Sequence, residues 1–258
     1  MVDEILIDHR NGLLSIIFII KKILNLNFEI IIDLQNSQRT SLYSFFIRLF
    51  SSTKINGTGK FVNYRYKNSS KKIPSVIDGL SNQVEILGIK TIRKPHLSWL
   101  DNNSFNLNSL SNKKFVIINP GCSKINLQKK WNSENYARIC TYFVSNNILP
   151  IVIGSNIDKE SIEIISKNEK NILNLLNNSP LDVIFQLSKK ALGAISNDTG
   201  PGHLIAASGC MLHLILSNFS NVKTVIPQGG NVSFTQKENI NDISVEEIIN
   251  KIKVIFKI

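Results

Sequence analysis

Short apolar runs alternate with stretches of helical spacing along almost the whole chain, and this beat limits the fold more than anything else in the sequence. "FEIIIDLQ" (28–35), "KFVIINPG" (114–121), "LPIVIGS" (149–155), "ILNLLN" (172–177), "ALGAIS" (191–196) and "MLHLILS" (211–217) read as strands. Most are apolar at consecutive positions, as required of strands covered on both faces. Between them, residues 13–26, 38–50, 74–89, 132–147, 158–168, 180–190, 201–209 and 244–256 read as helices, the last amphipathic. "EILIDH" (4–9) reads as a further strand, 52–74 as loop, and Ser133 as a helix cap. The polar, Asn/Ser-rich stretch 93–114 reads as a linker. Strand–helix alternation on both sides of it predicts an α/β fold of two doubly wound halves, residues 1–110 and 111–258, each with a parallel sheet. In such sheets ligands bind at the carboxyl ends of the strands.

Composition narrows the setting. Cys122, Cys140 and Cys210 are odd in number and widely spaced. That disfavours a disulfide framework or a structural zinc site and suits a reducing cytoplasm. The first residues carry acid rather than a basic leader. "LLSIIFII" (13–20) falls short of the roughly 20 apolar residues needed to span a bilayer, so it reads as a buried helix segment. The net charge of +11 fits either solubility with a biased composition or attraction to anions. No aromatic-rich basic surface or zinc spacing supports a nucleic-acid partner.

The chemistry concentrates in "AISNDTGPGHLIAASG" (194–209). An acid, a hydroxyl and two glycines stand between a strand and a helix. The first amides of a helix lack partners within it, and the helix dipole there favours negative charge. Gly200 and Gly202 bring the backbone close to a bound oxygen. Pro201 suits the first helical turn. Thr199 either caps the helix or donates to a phosphate. Asp198 would be repelled by phosphate and suits sugar hydroxyls, or it serves only as a cap. "NPGCSKINLQKKWNSENY" (119–136) repeats the layout: Pro120-Gly121 turns, Lys124, Lys129 and Lys130 follow, and Trp131 reads as a core anchor. A lysine loop and an amide loop at two strand ends form a diphosphate clamp; a solvated basic loop is the plainer reading of the lysines.

These motifs in this order, with "PIVIGS" and "SPLDVIFQLSKKALGAISNDTGPGHLIAASG" between and after them, resemble glycosyltransferase family 9, the ADP-heptose:lipopolysaccharide heptosyltransferases. The resemblance covers nearly all of 114–230 and, more weakly, 1–50. It implies a GT-B fold of two Rossmann-like domains with the active site in the cleft, the carboxyl half holding the sugar nucleotide and the amino half receiving the lipid-linked saccharide acceptor. It implies inverting transfer of heptose from ADP-heptose on the cytoplasmic face of the inner membrane, with no transmembrane segment. By position, Lys129 matches the family's phosphate lysine and Asp198 the acid at the heptose hydroxyls. Thr199, Gly200 and Pro201 match the phosphate turn, and His203 the motif histidine, either touching ligand or ordering the turn. Pro120, Gly121 and Gly154 match strand ends that admit the nucleotide. Gln35, Asn36 and Arg39 follow a strand end on the acceptor side and read as acceptor contacts or as turn and cap. His9, His96 and His213 are assigned no role.

Two departures qualify the resemblance. The family's opening strand, S-x-G-D loop and helix, about one βαβ unit of 30 residues or more, have no counterpart here, so the first domain is expected to be incomplete and the catalytic base is unassigned. After the last core strand this chain reads "LILSNFSNVKT" (214–224) where the family has a glycine-containing turn. No D-x-D occurs, so a bound metal is not indicated, and no cofactor is expected. Three functions stay open: a heptosyltransferase, a remnant that binds sugar nucleotide without transfer, and another GT-B-like enzyme such as a sugar-nucleotide epimerase.

Overall fold

The computed structural model describes residues 3–68, 75–90, 96–101, 107–122, 127–227 and 231–258. The chain forms two compact units, Met1–Arg93 and Lys94–Ile258. The division falls at the start of the expected linker rather than at its end. The later part of that stretch belongs to the second unit because it packs there: Leu100 and Leu110 are buried, and Asp101 pairs with Lys189 at 2.7 Å.

The first unit runs α1 (Gly12–Asn25), β1 (Ile30–Ile32), α2 (Gln38–Phe50), β2 (Lys54–Gly57), β3 (Tyr64–Arg65) and α3 (Val76–Glu85). Its strands are parallel in the order β1-β2-β3, with Ile31 beside Ile55. Residues 4–9 are not a strand, contrary to their apolar alternation. Among the described residues β1 pairs with β2 alone, so this segment has no ladder to join, and Ile5 and Ile7 stay exposed. Asp8 anchors it instead, accepting Nε and Nη2 of Arg39 at 2.8 and 2.9 Å. α1 is a helix as expected, but only Ile16, Ile19 and Ile20 are buried; Leu13, Leu14, Ile17 and Phe18 face out. The stretch 52–74, read as loop, contains β2 and β3. The polar Asn56 disguised β2, yet it is fully buried. Its amide donates to the carbonyls of Tyr64 and Gln83, which removes the cost of burying it.

The second unit follows the expected beat: β4 (Phe115–Asn119), α4 (Ser133–Ser145), β5 (Leu149–Gly154), α5 (Lys159–Asn168), β6 (Leu173–Leu176), α6 (Leu181–Ser188), β7 (Ala194–Asn197), α7 (Gly200–Ala207) and β8 (Leu212–Ser217). A short α8 (Val222–Val225), β9 (Val232–Lys237) and α9 (Val245–Phe256) complete it. All six strands are parallel, in the order β6-β5-β4-β7-β8-β9. Successive side chains of a strand point to opposite faces. Val116 and Ile118 therefore join one core with α4, α5 and α9, while Phe115 and Ile117 join the other with α6 and α7. That is why β4 is apolar throughout. α4 is capped by the Asn132 side chain, which accepts from the Glu134 amide; Ser133, the expected cap, is its first residue. Gly193 lies so close to α9 that a Cβ there would meet the Phe256 ring at 2.3 Å, so only glycine fits.

Candidate donor-binding site

Chain direction reverses across the second sheet between β4 and β7: β5 and β6 lie to one side, β8 and β9 to the other. The crevice beyond the carboxyl ends of two such strands is where open α/β sheets bind ligands. Both motif loops open there.

Asn119 and Asn197 join the loops. Asn197, fully buried, donates through Nδ2 to the carbonyls of Pro120 and Gly121 at 3.0 and 3.1 Å. Its Oδ1 accepts the Tyr136 hydroxyl at 2.9 Å. Asn119 donates to the hydroxyls of Ser196 and Thr199 at 2.8 and 2.7 Å. Thr199 holds the N-cap position of α7, but its side chain makes no capping bond. With its oxygen accepting from Asn119, its own hydrogen is directed elsewhere. The simple capping reading of Thr199 is thereby set aside. Both asparagines escaped the sequence reading; each ends an apolar strand, and their bonds span 61 to 80 residues.

Lys129 and Asp198 meet. The Lys129 ammonium lies 2.7 Å from Asp198 Oδ2, with side chains 21% and 10% exposed. Lys129 closes a short 3₁₀ turn, Leu127–Lys129. Two residues on, Trp131 is fully buried and donates from its indole to the Ile243 carbonyl at 3.0 Å. Lys124 lies outside the described residues.

Beside this cluster is a cavity of about 560 Å³, within the usual size of small-molecule sites. Asn119, Gly121, Gly154, Asp158, Thr199 and Pro201 contribute to its wall. Ile153, Ile157, Leu181 and Ile184 supply apolar surface. Gly121 and Gly154 have a packing reason to lack side chains. A Cβ on Gly121 would lie 2.8 Å from Asp158 Oδ1, and one on Gly154 2.7 Å from Ile162. Asp158 itself accepts from the Ser155 amide and hydroxyl at 2.9 and 3.1 Å. Around Gly200 a Cβ would meet nothing within 4 Å, so the first turn of α7 is open. His203 is exposed on α7 and takes no part in the cavity wall.

The acceptor-side residues lie in the first unit. Arg39 is bound to Asp8, which it holds far below the ordinary carboxylate range together with the Tyr43 hydroxyl. Arg39 also reaches Ser15 Oγ at 3.1 Å. Asn36 donates to Gln83 Oε1 at 2.7 Å and accepts the Thr58 amide. Gln35 is exposed, and its side chain bonds no other described residue.

Six parallel strands in the order β6-β5-β4-β7-β8-β9, with helices on both faces, define the Rossmann-like class of folds. Within that class the chain belongs to glycosyltransferase family 9 (heptosyltransferase), whose model matches residues 16–211. It is 25% identical over 222 residues to the lipopolysaccharide core heptosyltransferase OpsX of Haemophilus influenzae, a match covering 78% of this chain and 60% of that protein. Among solved structures, a family 9 glycosyltransferase from Veillonella parvula has a TM-score of 0.78 at 16% identity, covering 99% of this chain and 83% of the other. E. coli heptosyltransferase WaaC with ADP has a TM-score of 0.71 at 14% identity, covering 95% and 79%. The fold is thus that of the GT-B heptosyltransferases, with three parallel strands in the first unit and six in the second among the described residues. No helix among these residues is long and apolar enough to cross a membrane.

Proposed function

We propose that this protein is a glycosyltransferase that moves heptose from ADP-heptose to a lipopolysaccharide-core acceptor, with inversion and without a metal. The supporting observation is the convergence of Lys129, Asp198, Thr199 and the open first turn of α7 beside one cavity at the sheet's switch point. The cavity, with its apolar wall and Asp158, takes the nucleoside. The amides of α7, the Thr199 hydroxyl and Lys129 take the diphosphate, and Asp198 takes the sugar hydroxyls. In the reaction a base removes the proton of an acceptor hydroxyl, that oxygen attacks the anomeric carbon, and ADP departs. Preorganised donors at the phosphates stabilise the charge that develops on the leaving group. The first unit receives the lipid-linked acceptor, at the cytoplasmic face of the membrane, with Gln35 as a contact.

Calorimetric titration with ADP and ADP-heptose tests the reading. Lys129→Ala should weaken both by about 1.5–3 kcal/mol, the range for hydrogen bonds to charged groups. Asp198→Asn should leave ADP nearly unaffected and weaken ADP-heptose. Unchanged ADP affinity in Lys129→Ala would remove the lysine from the site. Loss of ADP binding in a folded Asp198→Asn would show that the acid holds the loop instead. A radiolabel transfer assay then separates an enzyme from a protein that only binds the donor.

A further inference from the structure

The loop after β8 carries a group that the functional reading leaves unused. Ser220 is 2% exposed, and its Oγ lies 3.0 Å from Asp198 Oδ2. That is the oxygen Lys129 reaches. A hydroxyl beside a carboxylate donates to it. Ser220 is itself held in place. Its amide donates to the Ser217 carbonyl at 3.0 Å. Its carbonyl accepts Nε2 of Gln236 at 2.9 Å, and the same amide group bonds the Ser217 carbonyl at 3.0 Å. Gln236 lies on β9, in register with Leu216 of β8. Two strand-end loops, after β4 and after β8, therefore donate to one carboxylate oxygen, and β9 braces the second of them. Among the described residues no hydrogen bond reaches Oδ1.

On the reading that this is a donor site, we propose that Ser220 is a positioning residue for sugar recognition. It fixes the Asp198 carboxylate so that Oδ2 faces inward and Oδ1 is presented to the hydroxyls of the donor sugar. The need for it follows from the chemistry of Lys129. An ammonium has three donors and no fixed fork. When a diphosphate arrives, Lys129 turns toward it, and its hold on Asp198 loosens. Ser220 is buried, carries no charge and has no reason to follow the phosphate, so it keeps the carboxylate from swinging after the lysine. This also gives a role to the segment where the sequence departs from the family pattern.

The experiment compares wild type, Ser220→Ala, Ser220→Thr, Asp198→Asn and the Ser220→Ala/Asp198→Asn double variant by calorimetry with ADP and with ADP-heptose. Ser220→Ala should bind ADP-heptose about tenfold more weakly and ADP within about twofold of wild type, as expected for one hydrogen bond to a charged group. Ser220→Thr, which keeps the hydroxyl, should recover most of the loss. The double variant should bind no worse than Asp198→Asn, since both changes act through one carboxylate. Equal losses for ADP and ADP-heptose would assign Ser220 to loop structure alone, and unchanged ADP-heptose binding or additive losses would overturn the proposal. Crystal structures of ligand-free Lys129→Met and Lys129→Met/Ser220→Ala, compared with each other, add a readout that needs no donor, because the lysine no longer holds Oδ2 in either. A rotated Asp198 carboxylate in the double variant supports positioning, and an unmoved one overturns it. If wild type bound neither nucleotide, the proposed function would fall, and the carboxylate's orientation alone would decide the role of Ser220.

Discussion

Each unit contains an acid–base pair at the heart of its polar chemistry, and the two pairs are built differently. In the first unit Arg39 grips both oxygens of Asp8. Tyr43 shares one of them and Ser15 bonds the guanidinium. Arg39 Nε and Nη2 and the Tyr43 hydroxyl all have partners, so the cluster fastens residues 3–11 to α2. In the second unit Lys129 touches a single oxygen of Asp198, and around the neighbouring Gly200, at the start of α7, a Cβ would meet nothing within 4 Å. A rigid fork fits a permanent joint; a compact ammonium with spare donors fits a partner that changes. The same contrast runs through the asparagines. Asn36 and Asn56 are tied into a closed network with Gln83, whereas Asn119 uses its amide to aim a hydroxyl. Having polar residues at strand ends does not make a site; having unfilled valence there does.

The largest effect should come from breaking the anchor of the lysine loop. Trp131→Ala removes a fully buried ring and should destabilise the second unit by about 3–5 kcal/mol. A urea titration followed by circular dichroism reads this. A loss below about 1 kcal/mol would mean the site does not depend on the core beneath it.

Acid sharpens the comparison, because the two units should fail in different windows. His213 is buried in β8 with its ring nitrogens 2.8 and 2.9 Å from the hydroxyls of Ser233 and Thr235. Burial, helped by the charge of Lys251 and opposed by Glu247, lowers its pKa from 6.5 to about 4. The unfolded chain thus takes a proton that the folded one refuses. The resulting stability is intact above pH 6.5 and drains away as pH falls toward about 4, a loss of about 3 kcal/mol at about 1.4 per pK unit. Asp8 is depressed in the folded state by Arg39, Tyr43 and the Arg10 amide. Its contribution is present above the ordinary carboxylate value near 3.8 and is lost only as pH falls below it. Urea midpoints from pH 7 to 3 should show the His213 phase first, and His213→Gln should abolish that phase alone.

Exchanging the cations should separate joint from site. Lys129→Met should cost ADP affinity roughly tenfold to a hundredfold, with little change in melting temperature. Arg39→Lys should lower stability by up to about 1 kcal/mol through loss of the bidentate grip, with ADP affinity unchanged. Crossed results would erase the distinction between the pairs. Smallest of all, Leu14→Glu on the outer face of α1, where Leu14 is 79% exposed, should shift stability by less than about 0.5 kcal/mol.

What the sequence made legible follows from the range of the forces involved. Strands β4, β5, β7 and β8 announce themselves because both faces are buried, so apolar residues need no alternation. The turn into α7 announces itself because glycine and proline act locally. β9, "VSFTQK", is half-polar and lies at the sheet edge, so nothing marks it without its neighbour. Residues 4–9 show the opposite failure: the pattern is right for a strand, but pairing is a property of two segments. Ser220 was invisible for the same reason. A serine 22 residues beyond an aspartate carries no local sign that a glutamine on another strand will turn it back.

The bond from Trp131 to the Ile243 carbonyl reaches across 112 residues of chain, and this bears on time as well as on strength. Closing a loop of that length costs about 4 kcal/mol of chain entropy beyond a constant, and contacts this distant in sequence form slowly. During synthesis Lys129 emerges far ahead of the residues that anchor its loop. α4, β5 and α5 lie close to β4 in sequence, whereas the bond that anchors Trp131 has to wait for residues 240–243. The Lys129 loop is therefore expected to order late, and a slow-folding variant of this protein should recover its helices before it buries Trp131.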